Sequence, residues 1–407
     1  MKKYITIILA VLLHLLLPLP VKASEAVTVS MEYNATDLDT PLAENTQADA
    51  PIGTVLDINA KSAILIETVT GKVLYENNAD EKRAPASITK IMGLCLVFEA
   101  IEGGALSLET KITASDHACS MGGSQIWLEP GEEMTVHELL KATFIASAND
   151  AMVALGEAVA GSEETFVHKM NEKAKHLGMN NTNFVNCTGL DAENHYTSAH
   201  DVAIMSAELV KYPLIKEYST VWMDSLRDGK SELVNTNKLV KYYKGAYGLK
   251  TGTTSVAGSC LSAAAEREGL SLIAVVMGAP TSKDRFNGAV KLLDYGFANY
   301  EYKEINAEDI ELPLITVRKG TKNSITPIAN GKVSVLTKKG EDVKITKEPE
   351  LTSELTAPVK AGDTVGYIHI YINSEEIGVI NIKAAESSDK LTFWVCAKRI
   401  LKNMFTL

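Results

Sequence analysis

The sequence predicts a mixed α/β (α+β) chain: a first domain built on an antiparallel sheet with helices, followed by a small β-rich domain and a C-terminal amphipathic helix. Three observations predict it. Strand-like apolar runs at residues 63–66 and after Gly245 bracket a helical middle, residues 305–385 alternate apolar and polar side chains, and residues 389–407 space apolar side chains at about 100° per residue. With 46% hydrophobic and 22% charged residues, the 407-residue chain is long enough for two or three domains and too polar for a multi-span membrane protein.

The chain opens on Lys2 and Lys3, runs through an apolar stretch from Ile5 to Leu19, and reaches Ala23 just after Lys22. Charge, apolar run and small residue in that order predict an export signal over 1–23, with the protein acting outside the cytoplasm. Residues 24–50 are acidic and polar without a lasting apolar period, so they are expected to be a flexible tether. The strand at 63–66 leads through Thr70, Gly71 and Lys72 into a second run at 73–75, which reads as a hairpin. From Pro85 the chain enters a helix over 88–101 that is apolar nearly all round and stops at Gly103 and Gly104; such a helix belongs in the middle of a domain. Further helices are expected at 136–148, 151–160 and 164–177. Strands follow at 247–250, 259–266 and 270–277, with a turn at Arg267, Glu268 and Gly269, and a helix over 283–300 closes a domain spanning 51–300.

Residues 301–386 are the expected β-rich domain, punctuated by glycine turns at Gly340 and Gly362; no chemistry is read from them. In the last segment, 387–407, Phe393, Trp394, Ala397, Ile400, Leu401, Met404 and Phe405 gather on one side and Lys398, Arg399 and Lys402 on the other, with Leu391 and Val395 breaking the division. A helix this short and cationic suits an anionic membrane interface better than a bilayer span; the alternative is a helix packed on its own β domain.

Forty Lys and Arg against 51 Asp and Glu give a formal charge of −11 and a pI near 5.4, and loss of Lys2, Lys3 and Lys22 with the signal would take it to −14. There is no global basic field, so no nucleic acid partner is expected. The five cysteines, Cys95, Cys119, Cys187, Cys260 and Cys396, are odd in number and lack CxxC spacing. Neither a disulfide framework nor a zinc site is expected, and Cys95 reads as a small core residue.

The chemistry is concentrated in three short motifs. Ser87-Ile88-Thr89-Lys90 puts a hydroxyl and an amine on one face at the start of the buried helix. A serine hydroxyl becomes a useful nucleophile only when a base takes its proton, and lysine can do so only if burial or nearby positive charge lowers its pKa. The helix N-terminus supplies positive potential, which favours the neutral amine and a developing oxyanion. The motif alone is weak: the same spacing recurs at Ser387 to Lys390, in what reads as an exposed linker. Ser147-Ala148-Asn149 after a helical segment, and Lys250-Thr251-Gly252 at the end of an apolar strand, complete the set.

In this order, Ser-x-x-Lys, Ser-x-Asn and Lys-Thr-Gly resemble the motif set of penicillin-recognising acyl-serine enzymes. The whole chain resembles the low-molecular-mass penicillin-binding proteins of the D-alanyl-D-alanine carboxypeptidase type (serine peptidase family S11-like). Supporting segments are Arg83-Ala84-Pro85-Ala86, the loop from Gly122-Gly123-Ser124 to Pro130-Gly131, Gly189-Leu190-Asp191 and Asp294-Tyr295-Gly296-Phe297. The resemblance implies a β-lactamase/transpeptidase-like catalytic domain. It implies that Ser87 attacks the carbonyl between two terminal D-alanines of a peptidoglycan stem, with Lys90 as its base, Ser147 as proton relay and Asn149 binding Lys90 and the substrate amide. It implies further that Lys250 and Thr251 hold the terminal carboxylate with help from Arg285, that the amides of Ser87 and Thr253 form an oxyanion hole, and that Gly252 permits close approach of a ligand. β-Lactams would be covalent inhibitors, and no metal or cofactor is implied. Independently, a peptide ending in a free carboxylate needs a fixed cation beyond the scissile bond, and Lys250 is of that type.

Three other readings are weighed. A metal hydrolase would have to use His195, His200, Asp191 and Asp201, yet their spacing lacks the His-x-x-x-His form, and Ser198 to Asp201 reads as a capping box opening a helix over 202–210. A β-lactamase of class A would need a deacylating glutamate; Glu232 lies three residues before Asn235, one short of the Glu-x-x-x-Asn spacing. A silent wall-binding scaffold would be marked by loss of the serine or the lysine, and both are present.

Overall fold

The computed structural model describes the backbone of residues 56–404 and the side chains as far as Lys398. The expected export signal and tether lie outside the described residues. Two compact units emerge: Asp57–Glu266 with Ser271–Leu293, and Arg267–Leu270 with the residues from Asp294 onward.

The first unit is organised by a five-stranded sheet. Strands β1 (Ser62–Glu67) and β2 (Val73–Asn77) form the hairpin, and β3 (Ala246–Thr254), β4 (Gly258–Arg267) and β5 (Leu270–Ala279) complete the spatial order β2-β1-β5-β4-β3. β1 pairs antiparallel with both β2 and β5, and β3 with β4. The turn between β4 and β5 places Glu268 and Gly269 at φ of 51° and 80°, the left-handed pair that a tight hairpin needs. β3 is longer than the 247–250 run, because it passes through Lys250-Thr251-Gly252 instead of ending there.

Helix α1 (Lys90–Glu102) buries every residue from Lys90 to Phe98, which is why its sequence shows no polar stripe. It is entered by a 3-10 turn at Ala86–Thr89, so Ser87 lies just outside the α-helix and Lys90 is its first residue. The expected helix at 136–148 is broken. Helix α2 (Val136–Lys141), started by a Thr135–Glu138 capping box, gives way to a π turn over Ala142–Ala146, and Ser147 leaves in the left-handed region at φ 62°. Its amide and that of Ala148 both reach back to the Ala142 carbonyl, which closes the wide turn and expels Ser147 from the helical register. Helix α3 (Asn149–Ala160) then begins two residues before the expected start, with Asn149 and Asp150 in its first turn. Helix α4 (Glu163–His176) carries acidic residues in its first turn and basic ones in its last, as the backbone dipole favours. Helix α5 (Ala199–Leu209) and helix α6 (Ser282–Asn299) follow the sequence pattern within a few residues.

The second unit is β-rich. Strand β6 (Tyr300–Asn306) pairs with β7 (Lys332–Lys338), and β8 (Ile345–Leu351), β9 (Thr364–Ile372) and β10 (Glu375–Ala384) form an antiparallel array with Pro327–Ile328. Its core is aliphatic, including Ile315, Ile325, Ile368, Ile370, Ile380 and Ile382. The second Ser-x-x-Lys match lies on an exposed stretch: its Ser387 and Lys390 are both exposed, and only the intervening Ser388 is buried, its hydroxyl accepting from the Lys322 amide at 3.1 Å. Helix α7 (Phe393–Met404) ends the described chain, with Phe393 and Trp394 78% and 79% exposed.

Candidate active site

The three motifs converge. Lys90 Nζ lies 3.0 Å from Ser87 Oγ, 2.5 Å from Asn149 Oδ1 and 2.7 Å from the Thr188 carbonyl oxygen. The amide end of Asn149 donates to the Gly122 carbonyl at 2.6 Å, which fixes its oxygen toward the lysine. One amide hydrogen is thus already committed to the loop, a constraint that the motif spacing does not reveal. Gly123, at φ 80°, is required there, because a Cβ would lie 2.8 Å from Asn149 Nδ2.

Lys90 is fully buried, and desolvation drives its pKa from 10.5 down to about 7, against the smaller opposing pull of Cys187 and Asp150. At 1.36 kcal/mol per unit, holding this amine costs about 5 kcal/mol near neutrality. The same helix buries Ile91, Met92, Leu94, Val97 and Phe98, each stabilising by about 1.5–3 kcal/mol, so α1 can carry the penalty.

The turn carrying Ser87 is tightly enclosed. Ala86 is buried at φ 49°, a left-handed position that an alanine holds only under constraint. A Cβ on Gly252 would lie 2.9 Å from both Ala86 Cβ and Ser87 N. Gly252 is therefore needed where β3 meets the backbone of the serine turn. The strand's next residue, Thr253, accepts from Arg285 Nη1 at 2.7 Å, and the same nitrogen reaches the Gly252 carbonyl at 3.1 Å.

Lys250 is 1% exposed, and burial, with Lys90 and Arg285 adding to it, holds its pKa well below the usual lysine value. Among the described residues it has no ion-pair partner, and its Nζ donates to the Thr251 carbonyl at 3.5 Å. Thr251 donates to Thr236 Oγ1 at 2.7 Å. Ser147 Oγ is buried with no hydrogen-bond partner among the described residues, a state that ordinarily costs 1–3 kcal/mol. Lys90, Lys250 and Arg285 thus lie close enough for the positive charge of each to be disfavoured by the others, a concentration of basic groups that suits a bound anion.

Several contributors carry no motif. The Thr188 carbonyl is presented by a loop in which Asn186 Oδ1 accepts from Thr188 N, Thr188 Oγ1 and Gly189 N. Asp150 is buried in the first turn of α3 and accepts from Ile126 N and Leu128 N, tying down the loop that supplies Gly122. An asparagine two residues before a Thr-Gly pair was the available sequence signal for the first; the second had none.

The other candidates sit in separate structural roles. His195 is hydrogen-bonded to Thr89 and to the Val185 amide, His200 pairs with Asp80, and Asp201 accepts from Asn181 N and Thr182 Oγ1. Ser198 caps α5 by accepting from Asp201 N, but Asp201 spends its carboxylate elsewhere and does not complete the capping box. Glu232 is exposed on a hairpin, and Asn235 is bonded to the Val221 carbonyl. All five cysteines are free thiols, and Cys95, Cys187 and Cys260 are buried.

A buried Ser-x-x-Lys turn closed by Ser-x-Asn on one side and a Lys-Thr-Gly strand on the other defines the penicillin-recognising class of serine enzymes. The sequence matches the D-alanyl-D-alanine carboxypeptidase family over residues 44–281 and the C-terminal domain of penicillin-binding protein 5 over 300–390. The chain belongs to the D-alanyl-D-alanine carboxypeptidase family. It is 46% identical over 346 residues to the D-alanyl-D-alanine carboxypeptidase DacF of Bacillus subtilis (strain 168), covering 84% of this chain and 89% of that protein. Penicillin binding protein 5 of Haemophilus influenzae superposes with a TM-score of 0.64 at 30% identity, covering 83% of this chain and 99% of that one. Penicillin-binding protein D2 of Listeria monocytogenes, in its ampicillin-bound form, superposes with a TM-score of 0.55 at 32% identity over 60% of this chain and all of that one.

Proposed function

We propose that this chain is a serine-type D-Ala-D-Ala carboxypeptidase that removes the terminal D-alanine from peptidoglycan pentapeptide stems, and that penicillins acylate the same serine. The observation that carries the reading is the environment of Lys90 Nζ. A neutral amine has two N–H donors and one lone pair; Asn149 Oδ1 and the Thr188 carbonyl are acceptors and take the donors, leaving the lone pair for Ser87 Oγ–H.

In the reaction, the Ser87 oxygen attacks the carbonyl carbon between the two D-alanines as its proton passes to Lys90. The negative oxygen that forms is held by the amides of Ser87 and Thr253. The C–N bond then breaks, and the Lys90 proton reaches the departing amine through the Ser147 hydroxyl, whose freedom from other partners suits a relay. Free D-alanine leaves, water attacks the resulting ester with Lys90 again as base, and the shortened stem is released. Lys250, Thr251 and, through Thr253, Arg285 favour a substrate ending in a carboxylate, which selects a carboxypeptidase over general peptide cleavage. A β-lactam carbonyl enters the same path but its acyl-enzyme hydrolyses slowly.

The domain reading places this chemistry in 51–300, after an export signal at 1–23 and a tether at 24–50, with a β domain at 301–386 and an anchor at 387–407. Exported, the enzyme would act at the outer face of the bacterial cell membrane. Among the described residues no helix is long and apolar enough to cross a membrane; α7, with its two exposed aromatics, is read as a peripheral anchor lying on the surface. Mass analysis of a synthetic pentapeptide ending in two D-alanines tests the function: loss of one alanine is expected, and an unchanged peptide would overturn it.

A further inference from the structure

The loop that offers the Thr188 carbonyl to Lys90 is secured to the serine turn by a buried side-chain pair outside the three motifs. His195 is 5% exposed, its ring set between the Val185 amide, 2.9 Å from Nδ1, and Thr89 Oγ1, 2.8 Å from Nε2. The amide can only donate, so Nδ1 is an acceptor, the hydrogen is on Nε2, and His195 donates to Thr89. Thr89 immediately precedes Lys90 and is itself fully buried. One imidazole therefore bonds to both sides of the junction: the segment before Thr188, and the residue before the base.

We infer that His195 is a positioning residue for Lys90, holding the 185–189 segment against the serine turn so that the Thr188 carbonyl stays on the amine and water stays out. The inference rests on the reading of Ser87 as nucleophile and Lys90 as its base. Burial keeps the imidazole neutral, with a pKa lowered to about 4, so the donor arrangement holds throughout the working pH range. The charged and titratable groups acting on the pair are Asp191 on His195, and Cys187, Asp150 and Lys250 on Lys90. None replaces the bond to Thr89. Desolvation is the largest influence on Lys90. Loosening the loop would readmit water, stabilise the ammonium and move the pH at which the base becomes competent upward.

The test uses the second-order rate of acylation by a fluorescent penicillin between about pH 5 and pH 10, on the full chain and on His195→Leu, Thr89→Val, Thr89→Ser and the Leu/Val double variant. His195→Leu and Thr89→Val should each lower the plateau rate at least about tenfold and raise the acid-limb midpoint by more than about half a unit. The double variant should be no worse than either single one, because both break one bond, and Thr89→Ser, which keeps the acceptor, should stay within about threefold of the unchanged protein. Unmoved or lowered midpoints in the single variants, or effects that multiply in the double one, would overturn the inference. Thr89→Val and Thr89→Ser, near-isosteric pairs, decide the matter even if His195→Leu does not fold. Failure of the unchanged protein to label at all would instead sink the nucleophile reading.

Discussion

The Ala86 carbonyl oxygen stands 1.8 Å from where a Cβ on Gly189 would be. The serine turn and the 186–190 loop therefore meet backbone to backbone, and the contact that brings Thr188 to Lys90 exists only because residue 189 has no side chain. Gly189 also sits at φ 87°, where an L side chain is strained irrespective of space. Gly189→Ala should thus lose about 3 kcal/mol or more and slow penicillin acylation at least about a hundredfold. Gly178→Ala, at φ 77° with open space around it, should lose only about 1 kcal/mol and label normally. Thermal unfolding and labelling rates of the two variants check the contrast; equal losses would show that the close approach is not what fixes the site.

Ser87→Ala should abolish covalent labelling by a fluorescent penicillin while keeping stability within about 1 kcal/mol. The substitution removes one hydroxyl and leaves the Lys90 amine its two acceptors, Asn149 and Thr188. Circular dichroism and gel fluorescence on the same sample suffice. Labelling that persisted would refute the nucleophile assignment.

Much of this arrangement can be read from the sequence because chemistry and periodicity coincide there. Lys90 opens a helix whose apolar residues continue around all sides, so burial of the amine follows from the same letters that spell the motif. The strand carrying Lys250 was visible at its apolar start but not through Thr254, since Lys-Thr-Gly-Thr-Thr has no hydrophobic alternation; pairing with β4 imposes the extended form. The break after Lys141 was illegible because 136–148 has the composition of an uninterrupted helix. Only the packed site reveals that Ser147 has to leave it. Gly122 and Thr188 act through backbone carbonyls, which any residue supplies, and no side-chain pattern announces them.

Replacing Lys90 should make the fold less pH-dependent. The unfolded lysine titrates near 10.5 and the folded one near 7, so between these values the unfolded state binds more protons and wild-type stability rises with pH. From about pH 7 to pH 9 the linked gain is about 2 kcal/mol. In Lys90→Met that gain is absent, while Lys250, whose pKa is lowered first by its own burial and only secondarily by Lys90, stays lowered in both proteins. Wild type should therefore improve relative to the variant by about this amount across the interval, measured by urea unfolding at the two pH values. The variant should also fail to label. A constant difference would mean that Lys90 is charged in the folded protein.

The C-terminal helix offers a separable test of where the enzyme works. The chain just before α7 is tied to the second unit: the Leu391 amide donates to the Lys319 carbonyl at 2.7 Å and the Asp389 amide to Thr321 Oγ1 at 3.0 Å. A stop after Leu391 keeps these bonds and removes only the helix, with exposed Phe393 and Trp394 and the sequence cations Lys398, Arg399 and Lys402. Aromatic insertion and cationic attraction act together on an anionic surface, each Lys or Arg contributing about 1 kcal/mol. The full chain should therefore sediment with vesicles containing anionic lipid, less so with zwitterionic vesicles and less at high salt, whereas the shortened chain should stay in solution under every condition. Its penicillin labelling rate should equal that of the full chain, because no motif residue is lost. Equal sedimentation of the two chains would show that α7 is not the anchor.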